Sequence, residues 1–231
     1  MRQPRVLVVG HGRDIDSVLG THRACVVGET YLRALDRAGV VPLIGWAGAS
    51  NASDLLEVAD AVVLLGGGDV EPRRFGSSER GEGIDLQRDA FEFEVVRSCR
   101  SGGVPLLGMC RGAQAMTVAL GGTLRRVEHH RQTNELREPS HLLQVEEGSR
   151  LESLLGGTHL SVNSFHRWAV DRPAEGFRVT AVAHDGAVEG IESESGWWAT
   201  GIQWHAEWLS EAQTVSIFEA LVSSLKGSVR G

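Results

Sequence analysis

Four short apolar runs punctuate the first half of the chain: Val6–Val9, Val40–Ile44, Ala61–Leu65 and Val104–Met109. They are nearly continuous in apolar residues rather than alternating, which suits parallel strands buried on both faces. Between them the spacing turns helical. Glu29–Ala38 sets Tyr31, Leu32, Leu35 and Ala38 on one face and stops at Gly39. Arg88–Ser101 carries Phe91, Val95 and Val96 and stops at Gly102 and Gly103, and Gly112–Leu120 stops at Gly121 and Gly122. Strand and helix in alternation predict a parallel sheet with helices on both sides.

The second half changes character. Leu142–Val145, Arg178–Ala183, Ala187–Glu192 and Trp197–Ile202 read as shorter strands joined by turns such as His184-Asp185-Gly186, an antiparallel addition to the sheet. A last helix begins at Ser210, with Gln213 completing a capping box and Val215, Phe218, Leu221, Val222 and Leu225 on its buried side. Gly10–Gly28 and Glu128–Ser140 read as polar loops, the first either a lid or plain surface. No repeat or linker divides the chain. The expected fold class is α/β: one domain over residues 1–231, an open, mostly parallel sheet flanked by helices, with a smaller antiparallel β portion.

Composition narrows the partners. At 231 residues and 42% hydrophobic, the chain can bury one sizeable core. A net charge of −7 argues against a nucleic-acid partner, because phosphate binding needs clustered Lys and Arg. Cys25, Cys99 and Cys110 are too few for a disulfide framework, which fits a reducing cytoplasm. The N-terminus shows no secretory pattern, and no run approaches the roughly 18 apolar residues that span a membrane.

The chemistry concentrates at Cys110. An apolar strand runs into it, a helix starts directly after it, and Gly108 and Gly112 flank it. That is the layout of a nucleophile elbow, whose sharp turn lifts the side chain above the sheet. A helix N-terminus favours a thiolate, and the N–H of Arg111 is placed to meet a developing oxyanion. A thiol nucleophile needs a base, and the base needs a partner that sets its tautomer. His205 and Glu207, just past the strand-like Trp197–Ile202, supply that pair. Gly66, Gly67 and Gly68 end the third apolar run and can bring backbone N–H groups against a substrate carbonyl; the Walker and dinucleotide spacings are both missing there.

Taken together, the glycine loop, Gly108-Met-Cys110-Arg-Gly112-Ala-Gln114 and Gln203-Trp-His205-Ala-Glu207 resemble the class I glutamine amidotransferases, in that family's order. Gly67–Gly76, Arg88–Glu92, Val162–His166 and Asp185–Glu192 narrow the resemblance to the γ-glutamyl hydrolase branch, most of all the bacterial γ-glutamyl-γ-aminobutyrate hydrolases. The resemblance covers nearly the whole chain. It implies a flavodoxin-like sheet of the class I glutamine amidotransferase type and a Cys110–His205–Glu207 triad. It also implies backbone oxyanion donors at Arg111 and at Gly66 or Gly67, and substrate contacts at Gln114, His166, Arg167 and Trp168. The implied reaction cleaves a γ-glutamyl amide through a thioester on Cys110, on a small-molecule substrate and with no metal or organic cofactor. A homodimer is a further expectation of the resemblance. The alternative within the superfamily is a glutaminase subunit that delivers ammonia to a partner synthase. Three departures stand out: Ala206 replaces the usual Pro of the last motif, Leu65 stands where Pro is common, and Arg167 and Trp168 replace a His and a Gln. The last change lies near the expected substrate mouth and points to a larger or differently charged amine half, such as a pathway-specific γ-glutamylated intermediate.

Overall fold

Leu7 and Val9 face one hydrophobic cluster and Val6 and Val8 face another, so the first apolar run is buried on both sides. The computed structural model describes residues 2–48, 52–194, 196–209 and 211–226, with side chains described for all of these but 211–215. Five parallel strands form the centre in the order β3 (Val41–Trp46), β1 (Arg5–Ser17), β4 (Ala61–Leu64), β5 (Leu106–Met109) and β12 (Ala199–Ile202). On one face, α2 (Ala52–Val58), α3 (Leu86–Gly102) and α4 (Arg111–Ala119) meet Val62, Leu64 and Leu106. On the other, α1 (Glu29–Arg37) and α6 (Glu211–Lys226) cover Val63 and Leu107 with Tyr31, Leu35, Phe218 and Leu221. Each large apolar side chain buried this way stabilises the fold by roughly 1.5–3 kcal/mol before entropy is counted.

Beyond β12 the sheet turns antiparallel. β11 (Val188–Ser193), β10 (Phe177–Ala183), β7 (His141–Val145) and β8 (His159–Val162) follow in that order, the helix α5 (Arg150–Leu155) joining the last two. β9 (Trp168–Arg172) bridges β11 to β6 (Thr123–Arg126). The chain is thus a single α/β domain with a parallel centre flanked by helices.

One expectation needs correction. Gly10–Gly28 is not a loop: β1 continues to Ser17, and β2 (Gly20–Val26) returns beside it as an antiparallel hairpin with Val18 and Leu19 at its tip. Both faces of that hairpin are largely solvated, so its residues carry no apolar alternation and only backbone pairing defines it. The short elements β6, β8, β9, α2 and α5 were likewise invisible as periodic patterns. The expected cap at Ser210 lies outside the described residues, as do the side chains of Gln213 and Val215. No helix among the described residues is long and apolar enough to cross a membrane.

Candidate active site

β5 and β12 run parallel with Met109 opposite Ile202, so the residues that follow each strand emerge at the same edge of the sheet. Cys110 follows the first and His205 the second. Cys110 holds a positive φ of 50° with ψ −109°, a conformation that costs a non-glycine residue on the order of 1–3 kcal/mol. It persists because the surroundings determine it. The Cys110 N–H donates to Ile202 O at 2.7 Å, and its carbonyl accepts from the N–H of Ala113 at 3.1 Å and of Gln114 at 3.3 Å. The flanking glycines allow close approach. A Cβ at Gly108 would meet Ala113 N at 2.7 Å, and one at Gly112 would meet Leu64 O at 2.2 Å.

His205 is gripped through its backbone. Asn163 Oδ1 accepts from the His205 N–H and Asn163 Nδ2 donates to His205 O, both at 2.9 Å. The ring donates from Nδ1 to Glu207 Oε1 at 2.6 Å, which leaves Nε2 for the thiol. Burial alone would lower the His205 pKa. Negative charge on Cys110 and on Glu207, both within hydrogen-bonding reach, overrides that and holds the pKa well above the usual histidine range. The ring also lies over Gly66, where a Cβ would meet His205 Cε1 at 2.6 Å.

The two candidate glycine donors separate. The Gly66 N–H donates to the Tyr31 hydroxyl at 3.4 Å and is therefore turned away from the oxyanion role expected of it. Arg88 Nη2 donates to the carbonyls of Leu65 at 3.0 Å and of Gly66 at 3.1 Å. In a trans peptide the N–H points opposite the C=O, so pinning Gly66 O to Arg88 turns the Gly67 N–H away from that guanidinium. Gly67 lines the cleft with Cys110 and Arg111. As the first residue of α4, Arg111 has an N–H with no intrahelical acceptor.

A buried ionic network underlies this loop. Arg88 Nε donates to Glu92 Oε1 at 2.7 Å, and Arg111 reaches both Glu92 and Asp89. Burial would raise the Glu92 pKa, but Arg111 and then Arg88 hold it below the usual carboxylate value. The apolar period of α3 marks Phe91, Val95 and Val96 but gives no sign of Arg88, Asp89 and Glu92. The apolar face of α1 marks Tyr31 only as core, although its hydroxyl lies beside Glu207, and burial followed by that carboxylate raises its pKa. The Arg88–Glu92 segment of the resemblance was the sequence signal for the ionic network, and Tyr31 had none.

Around Cys110 the cleft measures about 320 Å³ and is walled by Gly67, Asp69, Glu82, Arg131, Phe165 and Arg167, with Gln114 and His166 also on its lining. Gln114 Nε2 donates to Trp168 O at 2.7 Å and to Gln203 Oε1 at 3.1 Å, so its amide is already held from within. Arg167 closes the mouth by pairing with Glu82 and, at 3.6 Å, with Asp69. The Trp168 ring departs from expectation: it is buried edge-to-face against Phe75, 5.2 Å between centroids, and only its backbone faces Gln114 and His166. A larger groove of about 560 Å³ along β7 and β10 contains none of these groups.

Residues 10–207 match the family described as peptidase C26. The γ-glutamyl-γ-aminobutyrate hydrolase PuuD of Escherichia coli K12 is 31% identical over 222 residues, covering 88% of this chain and 87% of that protein. Rv2859c of Mycobacterium tuberculosis, named as a candidate glutamine amidotransferase, is 35% identical over 185 residues, covering 75% of this chain and 58% of that protein. In fold, the glutaminase domain of Trypanosoma brucei CTPS matches with a TM-score of 0.68 at 13% identity, covering 99% of this chain and 96% of that domain.

Proposed function

Because the chain belongs to the peptidase C26 family of glutamine amidotransferase-like hydrolases, we propose that it is a cytoplasmic cysteine hydrolase that cleaves the γ-glutamyl amide of a γ-glutamyl amine. The observation that carries this reading is the 2.6 Å bond from His205 to Glu207 beside a cysteine at a positive-φ elbow.

In the proposed reaction the Cys110 sulfur attacks the γ-carbonyl carbon. The N–H groups of Gly67 and Arg111 donate to the developing oxyanion. His205, protonated and oriented by Glu207, gives its proton to the departing amine as the tetrahedral intermediate collapses to a γ-glutamyl thioester. Water then adds to the thioester, His205 takes its proton, and glutamate leaves as the thiolate is regenerated. Arg131 and Arg167 at the cleft mouth are paired with Glu82 and Asp69, and an amine half with an acidic group would bind there by exchanging for those carboxylates.

The test is a panel of γ-glutamyl amines with neutral, basic and acidic amine halves, assayed for glutamate release by wild type and Cys110→Ala. Turnover by wild type alone, with a thioester trapped on Cys110, supports the reading. Equal turnover by Cys110→Ala overturns it. Hydrolysis confined to free glutamine and stimulated by a second protein would instead identify a glutaminase subunit.

A further inference from the structure

Glu189 on β11 is fully buried, and three imidazoles converge on one of its oxygens. His130 Nδ1 and His141 Nε2 each lie 3.3 Å from Glu189 Oε1, and His166 Nε2 lies 3.2 Å from it. The four residues come from four segments: the irregular stretch before β7, the start of β7, the turn before β9, and β11. The ring centroids are 4.9 Å apart for His130 and His141 and 4.7 Å apart for His130 and His166.

The remote nitrogens of two of these rings are already committed as donors. His130 Nε2 faces Asp185 Oδ2 at 3.0 Å, and His166 Nδ1 faces Trp168 O at 3.1 Å. A carboxylate or carbonyl oxygen only accepts, so each of those nitrogens carries the proton. In the neutral rings the nitrogens that face Glu189 are therefore bare, lone pair against carboxylate. Ser164 Oγ lies 3.3 Å from His130 Nδ1 but is 2.8 Å from His130 O, to which it gives its single hydrogen. Among the described residues, His141 Nε2 and Glu189 Oε2 are buried with no hydrogen-bond partner. Bare donor atoms pointed at a common centre, with remote N–H groups held by a carboxylate and a carbonyl, are what a metal site and its outer shell require.

The contacts of His130 and His141 with Glu189 have the length of ligand-to-ligand edges in such a site. Charge-assisted N–H···O⁻ bonds run at about 2.7–2.9 Å, shorter than all three contacts here. The edge of a tetrahedron with metal–ligand bonds of about 2.0–2.1 Å is about 3.3 Å. The candidate ligand atoms of His130, His141 and Glu189 all lie within 4.8 Å of one another.

We propose that His130 Nδ1, His141 Nε2 and Glu189 Oε1 hold one zinc-class divalent cation, with His166 Nε2 set against the same carboxylate oxygen. Imidazole and carboxylate donors suit that class, and a water completes the four-coordinate shell. The cation is structural and stands apart from the chemistry at Cys110. It staples the stretch before β7 to β7 and β11 at the antiparallel end of the sheet. The expectation of no metal rested on the resemblance, and these ligands have no spacing in the chain that would mark them.

Tag-free full-length protein is stripped with chelator, incubated with excess Zn²⁺, desalted and analysed for metal. One equivalent per chain is expected, with the visible absorption of four-coordinate Co²⁺ on titration with cobalt. A Tm rise of roughly 5–10 °C is expected at a hundredfold excess over Kd. Cys110→Ala keeps zinc off the reactive thiol and should retain the full equivalent, whereas His141→Ala and Glu189→Gln should hold under a tenth of one. Folded wild type that takes up no metal and shows no cobalt spectrum overturns the proposal. So does loss of the metal in Cys110→Ala, or its full retention in folded His141→Ala. Metal content is read without an activity assay, so this result is independent of the proposed reaction.

Discussion

Asn163 holds His205 at both backbone ends, accepting from its N–H and donating to its carbonyl, each at 2.9 Å, though the two residues lie 42 positions apart in the chain. The imidazole therefore has little backbone freedom. Its direction is set instead by Glu207, 2.6 Å from Nδ1, and by Gly66, which leaves room for the ring. Catalytic competence in this site is a matter of what surrounds the histidine.

Glu207→Gln tests the electrostatic half of that arrangement. A carboxylate beside an imidazolium favours the charged form and raises its pKa, as the neighbours of His205 do here. Removing it lowers the pKa, so the imidazolium loses its proton at lower pH. The alkaline limb of the kcat/KM profile should move down, and kcat should fall by about 10²–10⁴ through loss of the productive tautomer. An alkaline limb at the wild-type position would contradict the assignment of His205 as the group that protonates the amine.

Gly66→Ala and Gly112→Ala separate positioning from packing. At Gly66 the added methyl meets His205 Cε1, so the ring must move; kcat should drop about 10²-fold with Tm nearly unchanged. At Gly112 it meets the backbone oxygen of Leu64, which cannot swing aside, and the fold should lose about 1–3 kcal/mol. Thermal melts and kinetics on both variants check this. Matched losses of stability would refute the distinction.

Glu92→Gln leaves Arg88 and Arg111 buried without their shared carboxylate. Breaking a buried ion pair on one side costs roughly 3–5 kcal/mol, so denaturant unfolding should show a large loss. Activity should fall as well, because Arg88 holds the carbonyls of Leu65 and Gly66 and thereby the Gly67 peptide. A variant with wild-type stability would mean that the network contributes little.

Arg167 and Glu82 should act in opposite directions. Arg167→Ala should raise KM about tenfold for substrates with an acidic amine half, with kcat held, by removing a charged donor. Glu82→Ala frees the same guanidinium and should lower KM for those substrates. If neutral and acidic amines respond alike in both variants, the mouth does not read charge.

The parallel centre was legible because a strand buried on both faces must be apolar throughout, and Val6–Val9, Ala61–Leu64 and Leu106–Met109 are. The elbow was legible for a related reason. Backbone packed against backbone tolerates only glycine, which leaves Gly108 and Gly112 visible around Cys110. The pairing of His205 with Glu207 was legible because the two are near neighbours in the chain.

What the chain alone could not disclose depends on contacts between distant segments. The β1–β2 hairpin is defined by backbone hydrogen bonds that any polar sequence can make. That Tyr31 meets the Gly66 N–H while Arg88 meets the Gly66 carbonyl could be seen only in the folded chain. The convergence of His130, His141 and His166 on Glu189 is likewise written nowhere in the spacing. Residue type and local period govern which backbone states are accessible and where apolar surface must be hidden. Which polar groups then meet is decided by how the sheet edge and its connecting segments close on one another, a property of the folded whole.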